Sequence, residues 1–267
     1  MIGRIAPTPS GAVHIGNAIN FLLTDRLVRE QGGILRLRID DLDPERISDT
    51  SVDDIFWALE WLGISIDAGP RDAAEFRASF QHLGRSEYYR TELDQAITFG
   101  LPVYYCTCSR SQLTKGSWLN SADWRDHPCR ECKQQPDSLH TVRVALNTPL
   151  AITMNGAPHN DLYLPDPVVW RRDDLPGYHL SSLIDDRDAN INFIVRGNDL
   201  FESSLTQLAL APYFNATTFE SAEFIHHALI TNASGEKLSK SNGSESLRTF
   251  AANGGTVTQL IGLAQPS

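Results

Sequence analysis

The segment from Arg4 to Gly16 combines residue types that can bind a nucleotide. The stretch IGRIA at 2–6 predicts a strand, two prolines stiffen the next loop, and a helix is expected to begin near His14. The first N–H groups of a helix and the positive end of its dipole form an anion site. His14 can donate a hydrogen bond to a phosphate oxygen there, and Gly16 lets a bulky ligand approach the backbone. The alternative is an ordinary strand-to-helix turn with a capping histidine.

A second candidate segment, GEKLSKS, lies near the other end of the chain. Lys237 and Lys240, with Leu238 and Ser239 between them, can surround a triphosphate whose charge spreads as it reacts. Such a loop by itself is more often solvated surface. Both segments in this order, near the two ends of one parallel-sheet domain, predict a nucleotide-using enzyme.

Four cysteines form two close pairs that favour a metal over disulfides in a reducing compartment. Cys106 and Cys108 give CxC, and Cys129 and Cys132 give CxxC. Four thiolates are a tetrahedral Zn²⁺ ligand set, with His127 as the reserve ligand. Unmetallated thiols are the alternative.

Strands that alternate with helices must position these residues. The pattern predicts strands at 2–6, 34–39, 102–106, 191–197 and 223–230, and helices at about 14–31, 51–62, 85–99 and 199–214. This alternation predicts an α/β fold with a Rossmann-like, doubly wound parallel sheet. Between the first and second halves the chain is rich in Pro, Asn, Asp and Gly, with a short strand at 141–146, which indicates an insert.

We therefore predict three regions. Residues 1–105 and 177–245 form the Rossmann-like catalytic domain, 106–176 form an inserted zinc-binding subdomain, and 246–267 form a short tail. No further domain is expected in this tail.

Composition limits the partners. A chain of 267 residues with 41% apolar residues can bury a substantial core, and its net charge of −10 argues against RNA binding by bulk electrostatics. RNA would need a local basic patch, with candidates Arg110, Lys115, Arg125, Arg130, Lys133, Arg171 and Arg172. Because there is no secretory signal and no apolar run of roughly 20 residues, we expect a cytoplasmic monomer with no membrane contact.

The two candidate segments resemble the HIGH and KMSKS motifs of class I aminoacyl-tRNA synthetases, written here as HIGN and KLSKS. The segments RIDDLDP from Arg38, GYHL from Gly177 and VRGNDL from Val195 resemble the glutamyl branch in particular. The matches extend from about residue 2 to 243. Within this branch the chain is most similar to glutamyl-queuosine tRNA(Asp) synthetases.

This resemblance implies the site residues. Glutamate offers two carboxylates, which suit charged planar donors, and an ammonium, which needs an acceptor. Arg4 and Arg196 match the family's carboxylate-binding arginines. Tyr178 matches a hydroxyl donor of the glutamate pocket, and Thr8 matches a small polar residue that lines it. Asp40 stands where the family has an ammonium-binding glutamate, and its shorter side chain implies a bridging water or a shifted substrate.

For ATP, the resemblance implies a larger set. The expected contacts are Pro7, Thr8, His14, Gly16, Asn17, Lys237, Leu238, Ser239 and Lys240. His14, Lys237 and Lys240 are the expected catalytic residues, acting with Mg²⁺. The usual zinc set of glutamyl-queuosine synthetases includes a tyrosine four residues before a cysteine; none precedes Cys129 or Cys132 in this way, so the fourth ligand is expected to be a cysteine.

The implied activity is ATP-dependent activation of L-glutamate and its transfer to queuosine at the wobble position of tRNA(Asp). The resemblance implies that the zinc-binding insert lies near the acceptor end of the RNA. Because the sequence after KLSKS is short, no anticodon-binding domain is expected, and this favours queuosine over a 3′-terminal ribose as the acceptor. Three alternatives stay open: a minimal glutamyl-tRNA synthetase, an amino-acid ligase with a non-RNA acceptor, and a non-catalytic nucleotide-binding regulator.

Three further patterns have structural interpretations. Phe56, Trp57 and Trp61 have helical spacing and are expected to pack in the core or an interface. The His226-His227 pair is expected to include one inward, hydrogen-bonded histidine. The acidic run Asp185, Asp186 and Asp188 is expected to be a polar turn.

Overall fold

The structure, a computed structural model, describes residues 1–43, 45, 47–108, 127–131, 140–147, 149–228 and 246–263. The chain divides into two compact units. The first comprises residues 1–83, 191–201 and 222–267, and the second comprises 84–190 and 202–221. The predicted domain boundaries at 105, 176 and 245 stay a prediction.

The strands, in chain order, are β1 Ile2–Ile5, β2 Ile34–Leu37, β3 Val103–Cys106, β4 Thr141–Val144, β5 Leu150–Met154, β6 Ala157–Leu162, β7 Val168–Trp170, β8 Phe193–Gly197 and β9 Glu223–His227. The α-helices are α1 Ile15–Glu30, α2 Asp49–Leu62, α3 Ala73–Ser79, α4 Ser86–Thr98, α5 Tyr178–Asp188, α6 Phe201–Leu210, α7 Thr217–Glu220, α8 Leu247–Ala252 and α9 Val257–Leu263. Short 3-10 turns occur at His82–Arg85, Pro128–Arg130, Asn198–Leu200 and Ala211–Phe214.

The first unit is built on a four-stranded parallel sheet with the order β2-β1-β8-β9. Apolar residues of β1, β2 and β8 form its core together with the inward stripe of α1; they include Ile5, Leu35, Leu37, Ile19, Leu23 and Phe193. Because the connection from β1 goes to β2 on one side and β8 lies on the other, the strand order reverses beside β1. In open α/β sheets, ligands bind at the carboxyl ends of strands at such a reversal.

The second unit is built differently. Its β3, β4 and β7 form an antiparallel sheet, and β5 and β6 form a hairpin. The prediction that the strand at 102–106 joins the parallel sheet is wrong: Val103 pairs with Val144 and Cys106 with Thr141, both antiparallel. A helix followed by a strand predicts the strand itself, but only long-range hydrogen bonding decides which sheet it joins.

The acidic run is also corrected, because Asp185 and Asp188 lie in α5 and not in a turn. Tyr89, which is fully buried, donates its hydroxyl to both Asp185 oxygens at 2.8 and 2.9 Å. Arg85 pairs with Asp185 and, at 2.7 Å, with Asp188. These carboxylates therefore attach α5 to α4 and its preceding turn.

Most predicted elements are confirmed within a few residues, including α1, α2, α4, β8 and β9. α2 begins after Ser48, whose hydroxyl accepts the Ser51 N–H at 3.2 Å, and ends at Gly63 with a left-handed φ of 71°. Trp57 and Trp61 of this helix stack with ring centroids 6.1 Å apart and pack against the core, as predicted. Within the described residues, no helix combines the length and apolar character needed to cross a bilayer.

Candidate functional site

Two buried arginines lie next to the strand reversal. Arg4 of β1 and Arg196 of β8 are 5% and 3% exposed. The register Gly3↔Phe193 and the two-residue period of a strand put both side chains on one face of adjacent strands, as diagonal neighbours. Guanidinium groups carry a permanent charge and a planar set of donors that matches a carboxylate, so this face is suited to a ligand that carries carboxylates.

The loop after β1 leads directly to the start of α1. It contains Gly11 in a left-handed conformation, with φ at 133°, which a residue with a Cβ rarely adopts. The Pro7 carbonyl accepts the Asp40 N–H at 2.9 Å, so the loop remains attached to the chain that follows β2. Thr8 is exposed and Pro7 buried, as the side of a pocket would require.

α1 begins next to His14, as predicted, and His14 is its N-cap, as the structural alternative stated. Its Nδ1 accepts the Asn17 N–H at 3.2 Å, and Asn17 Oδ1 accepts the His14 N–H at 3.4 Å. When Nδ1 is an acceptor, the proton of the neutral ring is on Nε2, which makes that atom a hydrogen-bond donor. The predicted ATP contact of Asn17 would use Nδ2, since Oδ1 completes the capping box.

Asp40 has a partner that sequence reasoning missed. Arg38 Nε donates to Asp40 Oδ1 at 2.6 Å and Arg38 Nη2 donates to Oδ2 at 3.2 Å, and both side chains are close to nine-tenths buried. The spacing of two residues puts both on the same side of an extended chain, a signal that was available in the sequence. A substrate ammonium at Asp40 would therefore share that carboxylate with Arg38.

Tyr178 belongs to the second unit and is the first residue of α5. The preceding Gly177 N–H donates to Val169 O at 2.9 Å. A Cβ on Gly177 would lie 2.1 Å from Val168 O, so only glycine fits this close approach of two backbones. Tyr178 is 41% exposed, which is compatible with a hydroxyl that contacts a ligand.

The two histidines at the end of β9 differ. His227 is 7% exposed; its Nε2 lies 3.0 Å from Asn20 Nδ2, and its Nδ1 lies 2.9 Å from Ala228 O. This confirms the predicted inward, hydrogen-bonded histidine. His226 is paired in register with Arg196 on β8. Burial, the positive charge of Arg196 and the neighbouring His227 lower the pKa of His226 to about 4.

Three of the predicted metal ligands come together with the reserve ligand. The ligand atoms of Cys106, Cys108, His127 and Cys129 all lie within 4.8 Å of one another. Cys108 Sγ and Cys129 Sγ are 3.7 Å apart, and Cys106 Sγ and His127 Nε2 are 3.8 Å apart. Tetrahedral Zn–S bonds of roughly 2.3 Å require sulfur atoms about 3.8 Å apart, so the residues fit a zinc ion.

The thiols of this cluster differ in pKa. Burial raises the pKa of the Cys106 thiol, but hydrogen bonds from His127 and the Cys108 backbone and the charge of Arg143 outweigh it and lower the pKa to about 6. Burial and the neighbouring Cys106 raise the pKa of Cys129 to about 12. A Cys106 thiolate with neutral neighbours is what a cation would bind first.

Several predicted residues lie outside the described residues. They are Cys132, the basic-patch candidates Arg110, Lys115, Arg125 and Lys133, and the whole KLSKS segment with Lys237, Leu238, Ser239 and Lys240. Of the candidate basic patch, Arg130 is turned inward: its Nε donates to Asp166 Oδ2 at 2.7 Å, and its side chain is 12% exposed. Arg130 therefore contributes to folding of the second unit, contrary to its prediction as an RNA contact.

A family model described as tRNA synthetases class I (E and Q), catalytic domain, matches residues 1–256. The chain belongs to this family. Its parallel sheet and strand-end site agree with the class I catalytic fold. ATP as a substrate is expected for members of the family.

Similar proteins carry two different names. A glutamate–tRNA ligase of Syntrophotalea carbinolica is 30% identical over 261 residues, which are 94% of this chain and 53% of that protein. A glutamyl-Q tRNA(Asp) synthetase of Klebsiella pneumoniae is 32% identical over 258 residues, 92% of this chain and 79% of that protein. The chain thus spans about half the length of the curated ligase that it matches.

The fold is also found in solved structures. A glutamate–tRNA synthetase from Elizabethkingia anophelis superposes with a TM-score of 0.71 at 23% identity, over 95% of this chain and 54% of that one. At this identity the likeness establishes the fold.

Proposed function

We propose that this chain activates L-glutamate with ATP and transfers the glutamyl group to a tRNA. An oxygen of the glutamate α-carboxylate attacks the α-phosphorus of ATP, the bond to the bridging oxygen breaks, and pyrophosphate leaves. A hydroxyl of the acceptor then attacks the glutamyl carbonyl, and AMP leaves. The observation that carries the proposal is the pair of buried arginines, Arg4 and Arg196, on one face beside the strand reversal.

The proposed work of the protein is positioning and charge stabilisation. Arg4 and Arg196 are proposed to bind the substrate carboxylates, with Thr8 as a small polar contact and Asp40 as the acceptor for the ammonium. Tyr178, in the second unit, stays the predicted hydroxyl donor. No protein nucleophile is needed, because the substrate carboxylate is the nucleophile.

At the ATP side, Nε2 of His14 donates to a phosphate oxygen, supported by its Nδ1 hydrogen bond within the α1 cap. The N–H groups of the first turn of α1, at the positive end of the helix dipole, also favour a phosphate at this position. Lys237, Lys240 and Mg²⁺ are proposed to neutralise the charge that develops on the leaving pyrophosphate.

We further propose that the acceptor is the queuosine base at the wobble position of tRNA(Asp). The similarity to the Klebsiella glutamyl-Q tRNA(Asp) synthetase supports this. The 3′ end of tRNA(Glu) is the second candidate acceptor, since the Syntrophotalea glutamate–tRNA ligase is similarly identical.

The cysteine cluster is proposed to hold zinc with a structural role. His127 Nδ1 accepts the Cys129 N–H at 3.1 Å, so the ring proton lies on Nε2, next to Cys106 Sγ. A nitrogen that carries this proton cannot bind a metal, whereas it can donate to a bound thiolate. We therefore propose His127 as a donor to the Cys106 thiolate, and Cys132 stays the predicted fourth ligand.

The deciding experiment measures incorporation of radiolabelled glutamate into tRNA(Asp) with and without queuosine and into tRNA(Glu), beside ATP–pyrophosphate exchange. Label confined to queuosine-bearing tRNA(Asp) is the expected result. Label on tRNA(Glu) would establish the second candidate, and absence of glutamate-dependent exchange would contradict the whole proposal.

A pair of variants ties this activity to the site. Arg196→Gln should abolish glutamate-dependent exchange because the pocket loses a permanent charge. Arg77→Gln is the matched control, since Arg77 pairs with the exposed Asp49 and Asp53 of α2 and is not one of the proposed site residues.

A further inference from the structure

The chain just after the KLSKS segment is attached to the chain just before the α1 cap. Leu247 N donates to Val13 O at 2.8 Å, and Ser246 forms an isolated antiparallel bridge with His14. Both contacts lie within the first unit. Residues 246 and 247, which follow the KLSKS segment in the sequence, therefore lie next to Val13 and His14.

One carboxylate of α2 contacts both of these segments, the one at Val13 and the one at Arg248. Asp54 is 4% exposed; its Oδ2 accepts the Val13 N–H at 2.7 Å, and its Oδ1 accepts from Arg248 Nε. A buried carboxylate is costly unless it is hydrogen-bonded and paired. Among the residues that the structure describes, Val13 and Arg248 meet that condition for Asp54.

Arg248 has a second contact on the same helix. Its guanidinium carbon lies 4.1 Å from the ring centroid of Trp57, three residues after Asp54 and hence on the same face of α2. The Arg248 side chain is nevertheless 50% exposed. An exposed arginine that is held between a buried carboxylate and an aromatic ring is an anchor for the segment that bears it.

We infer that Asp54 and Arg248 are positioning residues for the ATP site. They hold residues 246–248 against Val13 and so support the start of α1, where His14 lies. The inference rests on the proposed adenylate formation. Because phosphoryl transfer is catalysed largely by placement of charges, a displaced anchor reduces turnover more than it weakens substrate binding. Glutamate binding depends on β1 and β8 and is expected to be unaffected.

The test is Arg248→Gln, measured by ATP–pyrophosphate exchange with each substrate varied. We expect kcat to fall about tenfold, while KM for glutamate stays within about twofold. Arg77→Gln is the matched control, since it also removes an arginine that pairs with α2 carboxylates; its kcat should equal that of the unaltered protein. Arg248→Lys, which keeps the charge near Asp54 and Trp57, should recover part of the lost turnover.

Asp54→Asn tests the same contact independently, from the carboxylate side. The asparagine still offers Oδ1 to the Val13 N–H but has no charge for Arg248. Because both residues act through one contact, the double variant with Arg248→Gln should be no slower than the slower single variant. If Asp54→Asn does not fold, Arg248→Gln carries the test alone, since its side chain is half exposed.

The outcomes separate two failures. Suppose that the unaltered protein is active. If Arg248→Gln then keeps its kcat, or if its KM for glutamate rises by the same factor as its kcat falls, this inference is overturned and the proposed function stands. Independent, multiplying effects of the two substitutions also overturn it. An unaltered protein without glutamate-dependent exchange overturns the proposed function and this inference with it.

Discussion

At the scale of single residues, Asp40 and Arg38 form an ion pair whose carboxylate is also the proposed acceptor for the substrate ammonium. Asp40→Asn should raise KM for glutamate roughly tenfold or more with little change in kcat, because it removes a charge-assisted hydrogen bond and leaves Arg38 to repel the ammonium. Steady-state exchange kinetics measure this effect. Asp53→Asn, which removes an exposed carboxylate paired with Arg77, is the control. An unchanged KM would place the ammonium elsewhere.

The zinc cluster gives a second prediction at this scale. Cys129→Ser should lose bound zinc, because a neutral hydroxyl replaces a thiolate ligand. His127→Gln should retain the metal, since Nε2 is assigned as a donor to Cys106 and not as a ligand. Zinc content by elemental analysis and the visible spectrum of Co²⁺-loaded protein test both. Loss of metal from His127→Gln would instead make the histidine a ligand.

At the scale of elements, the start of α5 depends on the contact of Gly177 with β7. Gly177→Ala should destabilise the fold by about 1–3 kcal/mol, because the new methyl group overlaps Val168 O. It should also raise KM for glutamate, since Tyr178 moves with the helix start.

Gly84→Ala is the control for this substitution. Nothing lies within 4 Å of the position of its added Cβ, so its unfolding free energy should change by less than about 0.5 kcal/mol. Chemical denaturation measures both variants. Equal stability of the two would show that β7 and α5 can separate at no cost.

At the scale of the whole molecule, the low pKa of His226 makes folding depend on pH. The folded pKa of about 4 lies below the ordinary 6.5, so between these values the unfolded chain binds a proton that the folded chain does not. The contribution is complete above pH 6.5 and is lost as pH falls toward 4. Arg196 and His227 are the charged or titratable neighbours that cause it, after burial.

This dependence is tested by the free energy of unfolding at pH 7 and pH 5. The unaltered protein should lose more stability between these values than His226→Gln, which cannot titrate. If both proteins lose the same free energy of unfolding, His226 is protonated in the folded chain at pH 5 and its pKa is not lowered.

The sequence by itself determined the family, because HIGN, KLSKS and their flanking segments are short motifs of neighbouring residues. The spacing of apolar residues and the residue types at the ends of elements likewise predicted α1, α2, β8 and β9, because these signals lie in neighbouring residues.

Only the tertiary structure decided which distant residues meet. It turned Arg130 toward Asp166, brought Arg248 to Asp54, paired β3 with β4, and put His127 next to Cys106. None of these contacts follows from periodicity, because a side chain's partner depends on the strand or helix that packs over it. A buried charge must find such a partner in the folded chain, and the spacing of residues in the sequence does not name it.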